Sequence, residues 1–159
     1  MSASSLCWFR DDLRLADNPA LAAAVAGGPT LCLYVFDTGV DRRAPGGAAR
    51  WWLSRSLSAL ADDIAARGGE LLLMAGDPAE LVPFVARESG VDRVFWNRRY
   101  EAAAIALDTR LKALLTGAGR EVESFMYGRP LRCKVRDEGR ATRGSGAFMY
   151  AACSCGPFS

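Results

Sequence analysis

An α/β domain built on a parallel sheet is the fold this sequence predicts. Three observations point to it. The chain has 159 residues, of which 50% are apolar and 24% charged, enough for one domain with a real core. Short apolar runs alternate along it with longer stretches whose apolar residues recur at helical spacing. Glycine and proline punctuate nearly every junction. Five strands alternating with four helices at this spacing make a sheet with helices on both faces.

The elements follow in order. SLCWF, Ser5–Phe9, is a short apolar and aromatic strand. It leads into RDDLRLADNPAL, where Asp17 or Asn18 can cap a helix that carries Pro19 in its first turn. That helix, Pro19–Ala26, stops at Gly27-Gly28-Pro29, and TLCLYVFD, Thr30–Asp37, follows as a strand of the kind buried on both faces. Beyond a loop rich in Gly and basic residues (39–47), residues 48–67 place Trp52, Leu53, Leu57, Leu60, Ile64 and Ala65 at helical spacing. Adjacent helical residues face different ways, so one of Trp51 and Trp52 is expected to cover the sheet. Gly68-Gly69 ends the helix. Residues 70–75 form the third strand, and Pro78–Glu88 a helix with Leu81, Val82 and Val85 inward. Arg93–Asn97 is the fourth strand, 101–115 the fourth helix and 121–126 the fifth strand.

Composition removes whole classes of chemistry. The sequence has no histidine, which excludes Ser-His-Asp and Cys-His nucleophilic machinery and HExxH zinc sites. Neither GxxxxGK[ST] nor GxGxxG occurs. Five cysteines lack paired metal spacing and are read as free thiols, and Cys153-Ser154-Cys155 without a second ligand cluster is no metal site. No membrane span is expected, because the longest uncharged stretch, 18–36, is broken by glycine and proline. Arg10 and two acids arrive before any secretory apolar run, so a cytoplasmic location is expected. The net charge of +2 is uneven: residues 128–159 carry six basic side chains against Asp137 and Glu138, leaving the preceding residues slightly acidic. That body has no general attraction for nucleic acid.

Residues 7–21, CWFRDDLRLADNPAL, resemble the opening signature of the photolyase and cryptochrome family, WFRRDLRLxDNPAL, with Asp11 where a second Arg usually stands. The resemblance continues through Val35-Phe36-Asp37, through residues 47–60 (GAARWWLSRSLSAL), through Gly76-Asp77, through residues 94–101 (VFWNRRYE), and into Val122-Glu123-Ser124-Phe125. It implies a Rossmann-like domain over residues 1–127 with strand order 3-2-1-4-5, the family's N-terminal antenna domain. It further implies that the larger helical domain, which holds FAD, the electron relay and the pocket for damaged DNA, is missing, so no activity is expected of this chain alone. Family members continue with a Glu-Pro-Trp pattern that is gone here, with Cys133 near the Trp position. Residues 128–159 are accordingly expected to be a degenerate, poorly ordered tail.

In an open parallel sheet, ligands lie beyond the carboxyl ends of the strands where the order reverses, here between strands one and four. An antenna pigment (methenyltetrahydrofolate, a deazaflavin or FMN) needs an aromatic slot and donors for its polar edge and anionic tail. Arg10, Arg50, Asn97 and Arg98 supply donors, Phe36, Trp96 and Tyr100 supply surface, and Asp37 and Glu101 arrive with them. A purely structural role stands beside this one, in which Arg10 and Arg14 pair with Asp11, Asp12 and Asp17 to fasten the loop. Arg50 near a helix start is either an anion ligand or a solvated surface residue. Folate-binding members carry polar residues, often Asn-Glu, where this sequence has Ala103 and Ala104, which leaves the pigment open. The competing expectations are a stand-alone nucleotide-binding or regulatory module of similar topology, and a nonfunctional remnant with an intact fold.

Overall fold

A computed structural model describes residues 4–38 and 46–126. The elements run β1 (Ser5–Phe9), α1 (Pro19–Ala26), β2 (Thr30–Asp37), α2 (Gly47–Ala65), β3 (Leu71–Gly76), α3 (Pro78–Glu88), β4 (Arg93–Asn97), α4 (Ala102–Gly117) and β5 (Glu121–Phe125). All pairings are parallel and the sheet order is β3-β2-β1-β4-β5, the order that the resemblance implied.

Every residue of the central strand β1 is buried, and alternation along it divides the core in two. Leu6 and Trp8 join Leu33, Val35, Val94 and Trp96 under α3 and α4, which contribute Val82, Val85, Ala86, Leu111 and Leu115. Cys7 and Phe9 join Cys32 and Phe95 on the opposite face, under Ala20 and Ala24 of α1 and Leu60 and Ile64 of α2. Trp8 and Trp96 meet edge to face at 5.9 Å across the β1–β4 pair. Cys7 and Cys32 are in-register neighbours and free thiols. Cys133, Cys153, Cys155 and the whole of 128–159 lie outside the described residues.

The alternative caps of α1 resolve to Asn18, whose side chain accepts from the Leu21 N–H. Asp17 takes φ 50, a left-handed turn that an aspartate tolerates and that lets Asn18 face the helix. At the end of β3, Gly76 has φ 153, and a Cβ there would stand 2.9 Å from Leu81 Cδ1. Only glycine carries the chain from its pairing with Asp37 directly into the Asp77 cap of α3.

The reading of α2 needs correction. Trp51 is 59% exposed and Trp52 67%, and Ala65 is exposed too, so neither tryptophan covers the sheet. Only the C-terminal turns of α2 reach the core, through Leu60 and Ile64. Upstream, the tryptophans satisfy each other edge to face at 6.3 Å, and the Arg55 guanidinium lies 5.4 Å from the Trp51 ring. Helical spacing gives the stripe but not how far along the helix the stripe stays in contact. Smaller shifts occur at element ends: Glu101 is the residue before α4 and not its first turn.

Candidate functional site

The sheet order reverses between β1 and β4, and the loops that leave these two strands are fastened by one buried polar knot. The Asp12 carboxylate accepts from the Arg10 N–H at 3.1 Å, from Asn18 Nδ2 at 3.1 Å and from Asn97 Nδ2. Asn97 Nδ2 also donates to Asn18 Oδ1 at 2.8 Å, the oxygen that caps α1. Both Asn97 donors thus go to the scaffold, while its Oδ1 is buried with no hydrogen-bond partner among the described residues. A buried carbonyl oxygen in that state is a standing acceptor for an N–H group.

Arg10 belongs to the same scaffold. Its Nη1 donates to Asp108 Oδ1 at 2.8 Å, with the two side chains 5% and 10% exposed, and its guanidinium lies 4.5 Å from the centre of the Trp8 ring. Burial lowers the Arg10 pKa and Asp108 opposes that shift. The Arg10 side chain does not take up the pairing with its own loop's acids that the sequence suggested. Arg10 turns to α4, Arg14 Nη2 reaches the Asp17 carbonyl at 3.4 Å, and Asp11 pairs with Arg99 Nε at 2.8 Å. The reason is directional: Arg10 continues the Leu6 and Trp8 face of β1, which lies under α4.

Three cavities surround the strand ends. A groove of about 610 Å³ is lined by Asp11, Asp12, Asn97, Arg98, Arg99, Tyr100 and Glu101, with the Tyr100 ring 60% exposed on its wall. A narrow cleft of about 30 Å³ lies between Trp8, Arg10, Asp37, Pro78 and Arg99. A third, of about 310 Å³, runs along α4 past Arg98, Arg99, Tyr100, Asp108 and Lys112. Of the residues named from the sequence, Asn97, Arg98, Tyr100 and Glu101 meet in the 610 Å³ groove, and Arg10 and Asp37 meet in the narrow cleft. Arg50 is exposed in the first turns of α2 and Phe36 is half-buried at the end of β2; neither lines any of these three cavities. Among the described residues no group of three or more His, Cys, Asp and Glu is gathered that could hold a metal ion. No helix among them is long and apolar enough to cross a membrane.

Comparison with known proteins gives this arrangement its family. The family model for DNA photolyase matches residues 5–129. The chain belongs to the DNA photolyase family. It is 42% identical over 125 residues to a deoxyribodipyrimidine photo-lyase of Agrobacterium fabrum, covering 78% of this chain and 26% of that one. It is 37% identical over 123 residues to cryptochrome-1 of Arabidopsis thaliana, covering 76% of this chain and 18% of that protein. Among solved structures, a class III photolyase from Agrobacterium tumefaciens superposes with a TM-score of 0.72 at 42% identity, over 79% of this chain and 26% of that one. An archaeal photolyase from Sulfolobus tokodaii, solved with two FAD molecules and an implied novel light-harvesting cofactor, superposes at 0.67 with 25% identity, over 77% and 29%. The chain spans about a quarter of the length of these photolyases.

Within this photolyase-family frame, Arg99 and Asp108 matter although the sequence did not mark them as site residues, and Asp11 has a partner the sequence did not give it. Arg99 lines all three cavities, whereas of the two adjacent arginines only Arg98 was expected there. Alternation beyond a strand end could not choose between them. Asp11, the departure from the family's usual Arg, holds Arg99 in place. Asp108 carried a legible signal: it is in phase with Leu111 and Leu115, and a carboxylate on the buried stripe of a helix calls for a buried cation.

Proposed function

We propose that this chain is a photolyase-type antenna module, which binds and orients a light-harvesting pigment at the carboxyl ends of β1 and β4. The observation that carries the reading is the groove of about 610 Å³ at the ends of β1 and β4, where the exposed Tyr100 and the basic side chains of Arg98 and Arg99 come together. Methenyltetrahydrofolate, deazaflavins and FMN all present a flat ring whose edge carries N–H and carbonyl groups, and all can carry an anionic tail. The chain's residues fit that chemistry: Tyr100 offers its face and Arg98 supplies a cation for the anionic part, while Arg99, paired with Asp11, shapes the wall. A bound pigment supplies absorption of light and transfer of the excitation to a flavin.

Every other contribution is binding. Asp12, Asn18 and Asn97 hold the two loops at a fixed separation, so a ring entering the groove meets a pre-formed wall. No side chain here is asked to make or break a bond, and we name no catalytic residue. FAD and damaged DNA we assign to the part of a photolyase that this chain does not match. The light-harvesting cofactor implied for the Sulfolobus tokodaii photolyase supports a pigment role in this family.

Titration of the purified chain with methenyltetrahydrofolate, a deazaflavin and FMN, followed by pigment absorbance and fluorescence, tests the proposal. One of the three is expected to bind at micromolar concentration. Failure of all three overturns the antenna role.

A further inference from the structure

The cavity along α4 differs from the other two in its charge. Ile105, Asp108, Thr109 and Lys112 recur at intervals of three and four, so they form one side of the helix, and that side faces the loop after β4. Four charged side chains meet there, and two of them are already neutralised. Asp108 is taken by Arg10, and Arg99 by Asp11 and Glu101. Arg98 and Lys112 remain. Arg98 spends its Nε on Ser124 Oγ at 2.8 Å, which fixes the guanidinium plane, and no further polar partner is found for it among the described residues. Lys112 is half-buried and has no ion-pair partner among them.

Two cations without a counter-charge therefore share a groove of about 310 Å³ with the Tyr100 ring. The two grooves are continuous in their lining, since Arg98, Arg99 and Tyr100 belong to both. We infer that the α4 groove is the seat of the ligand's anionic tail, a phosphate or oligocarboxylate, held by Arg98 and Lys112 while the ring lies on the other side of Tyr100. This rests on the antenna reading for the ring and goes beyond it for the tail. It also replaces Arg10 and Arg50 as tail ligands, because the one is committed to Asp108 and the other lies off the cavities. A fixed guanidinium beside a flexible ammonium suits a tail with several anionic oxygens, the one giving direction and the other charge.

Paired ligands that differ only in the tail test this: FMN against riboflavin, and methenyltetrahydrofolate with three glutamates against the same compound with one. Each is titrated against the wild-type chain, Lys112→Gln and Arg98→Gln, with Arg110→Gln as an exposed control on the same helix. The longer-tailed or phosphorylated member of a binding pair is expected to bind about tenfold more tightly, and more weakly as salt rises. Lys112→Gln and Arg98→Gln should each bring that member to within about threefold of its partner, leaving the affinity for riboflavin and the melting of the empty protein unchanged. Ring-containing ligands that bind with no preference for the tail, or a preference that survives both variants, overturn the tail site and leave the antenna reading standing. Loss of affinity for riboflavin as well as FMN in Lys112→Gln also overturns it. Absence of binding by all four ligands overturns the tail site, and absence of deazaflavin binding as well overturns the antenna reading.

Discussion

Asp108→Ala separates a scaffold Arg10 from a ligand-binding one. In the structure the Arg10–Asp108 pair is 5% and 10% exposed, joined at 2.8 Å, with the guanidinium stacked 4.5 Å from Trp8. Removing the carboxylate leaves a charge that cannot be shed, because arginine stays protonated, in a place where burial already disfavours it. Breaking a buried pair from one side costs about 3 to 5 kcal/mol. With about 4 °C of melting temperature per kcal/mol for a domain of this size, Asp108→Ala should melt roughly 12 to 20 °C below wild type. Arg10→Met/Asp108→Leu removes both charges and keeps apolar bulk against Trp8, so it should recover most of that loss. Thermal and urea unfolding of wild type, Arg10→Met, Asp108→Leu and the double variant, with circular dichroism as the probe, gives the coupling, and Asp108→Ala measured beside them gives the cost of the one-sided break. The wild-type pair should also be insensitive to salt, since buried charges are weakly screened. A loss below about 1 kcal/mol in Asp108→Ala is what an exposed pair would give. That result would refute the reasoning and return Arg10 to the list of free ligand donors.

Burial pushes the Cys32 thiol up to about 11 from an ordinary 9.0, and raises Cys7 as well. An unfolded thiol ionises at the ordinary value, so stability should be complete below about pH 9 and fall as pH rises toward 11; unfolding of wild type against Cys7→Ala/Cys32→Ala across pH 8 to 11 checks that this part of the decline is lost in the variant. Trp52→Ala should cost less than about 1 kcal/mol, because its ring is 67% exposed, and thermal melting shows it. Deleting residues 128–159 should leave a cooperative melting transition, since every described strand and helix precedes Met126; its disappearance would give that segment a structural role. The purified chain with added FAD should repair pyrimidine dimers under blue light no faster than FAD alone, and faster repair would show that it carries more of the photolyase reaction than binding.

The parts of this molecule that sequence made legible are those where local chemistry and long-range packing agree. Asn18-Pro19 favours a helix start through the cap side chain and the fixed proline φ, and the apolar run TLCLYVFD suits a strand inside a sheet. Gly76-Asp77-Pro78 turns a strand into a helix through the positive φ of Gly76, the Asp77 side chain that accepts from the Ala79 N–H, and the fixed φ of Pro78. Strand order is different, because nothing in the periodicity of β1 says that its neighbours are β2 and β4; that came from resemblance to a family. The failures share one cause. Trp52 sits on the apolar stripe of α2, and Arg10 sits among the acids of its own loop, yet each is governed by how far a helix reaches across the sheet. Where α2 leaves the core, a predicted core residue becomes surface, and where α4 closes over β1, a predicted ligand becomes part of the wall.

The same geometry bears on what Asp11 does. In the family signature that this chain resembles, a second Arg stands at that position, whereas here its carboxylate is 2.8 Å from Arg99 Nε. With Asp11 in place, Arg99 is held at the junction of all three cavities with its charge answered, and Glu101 lies on its other side at 3.4 Å. With the Asp11 side chain 71% exposed, solvent screens the pair and holds it to a fraction of a kcal/mol to about 1 kcal/mol. A charge-assisted bond from Arg99 to a bound ligand is worth about 1.5 to 3 kcal/mol, so a ligand can displace Asp11, but it starts from an occupied cation. Arg98, one residue away, lines both the main groove and the α4 groove and spends its Nε on Ser124 of β5, with no acid paired to it among the described residues. In the proposed site, Asp11 thus divides the work of two adjacent arginines, Arg98 meeting the anion and Arg99 holding the wall.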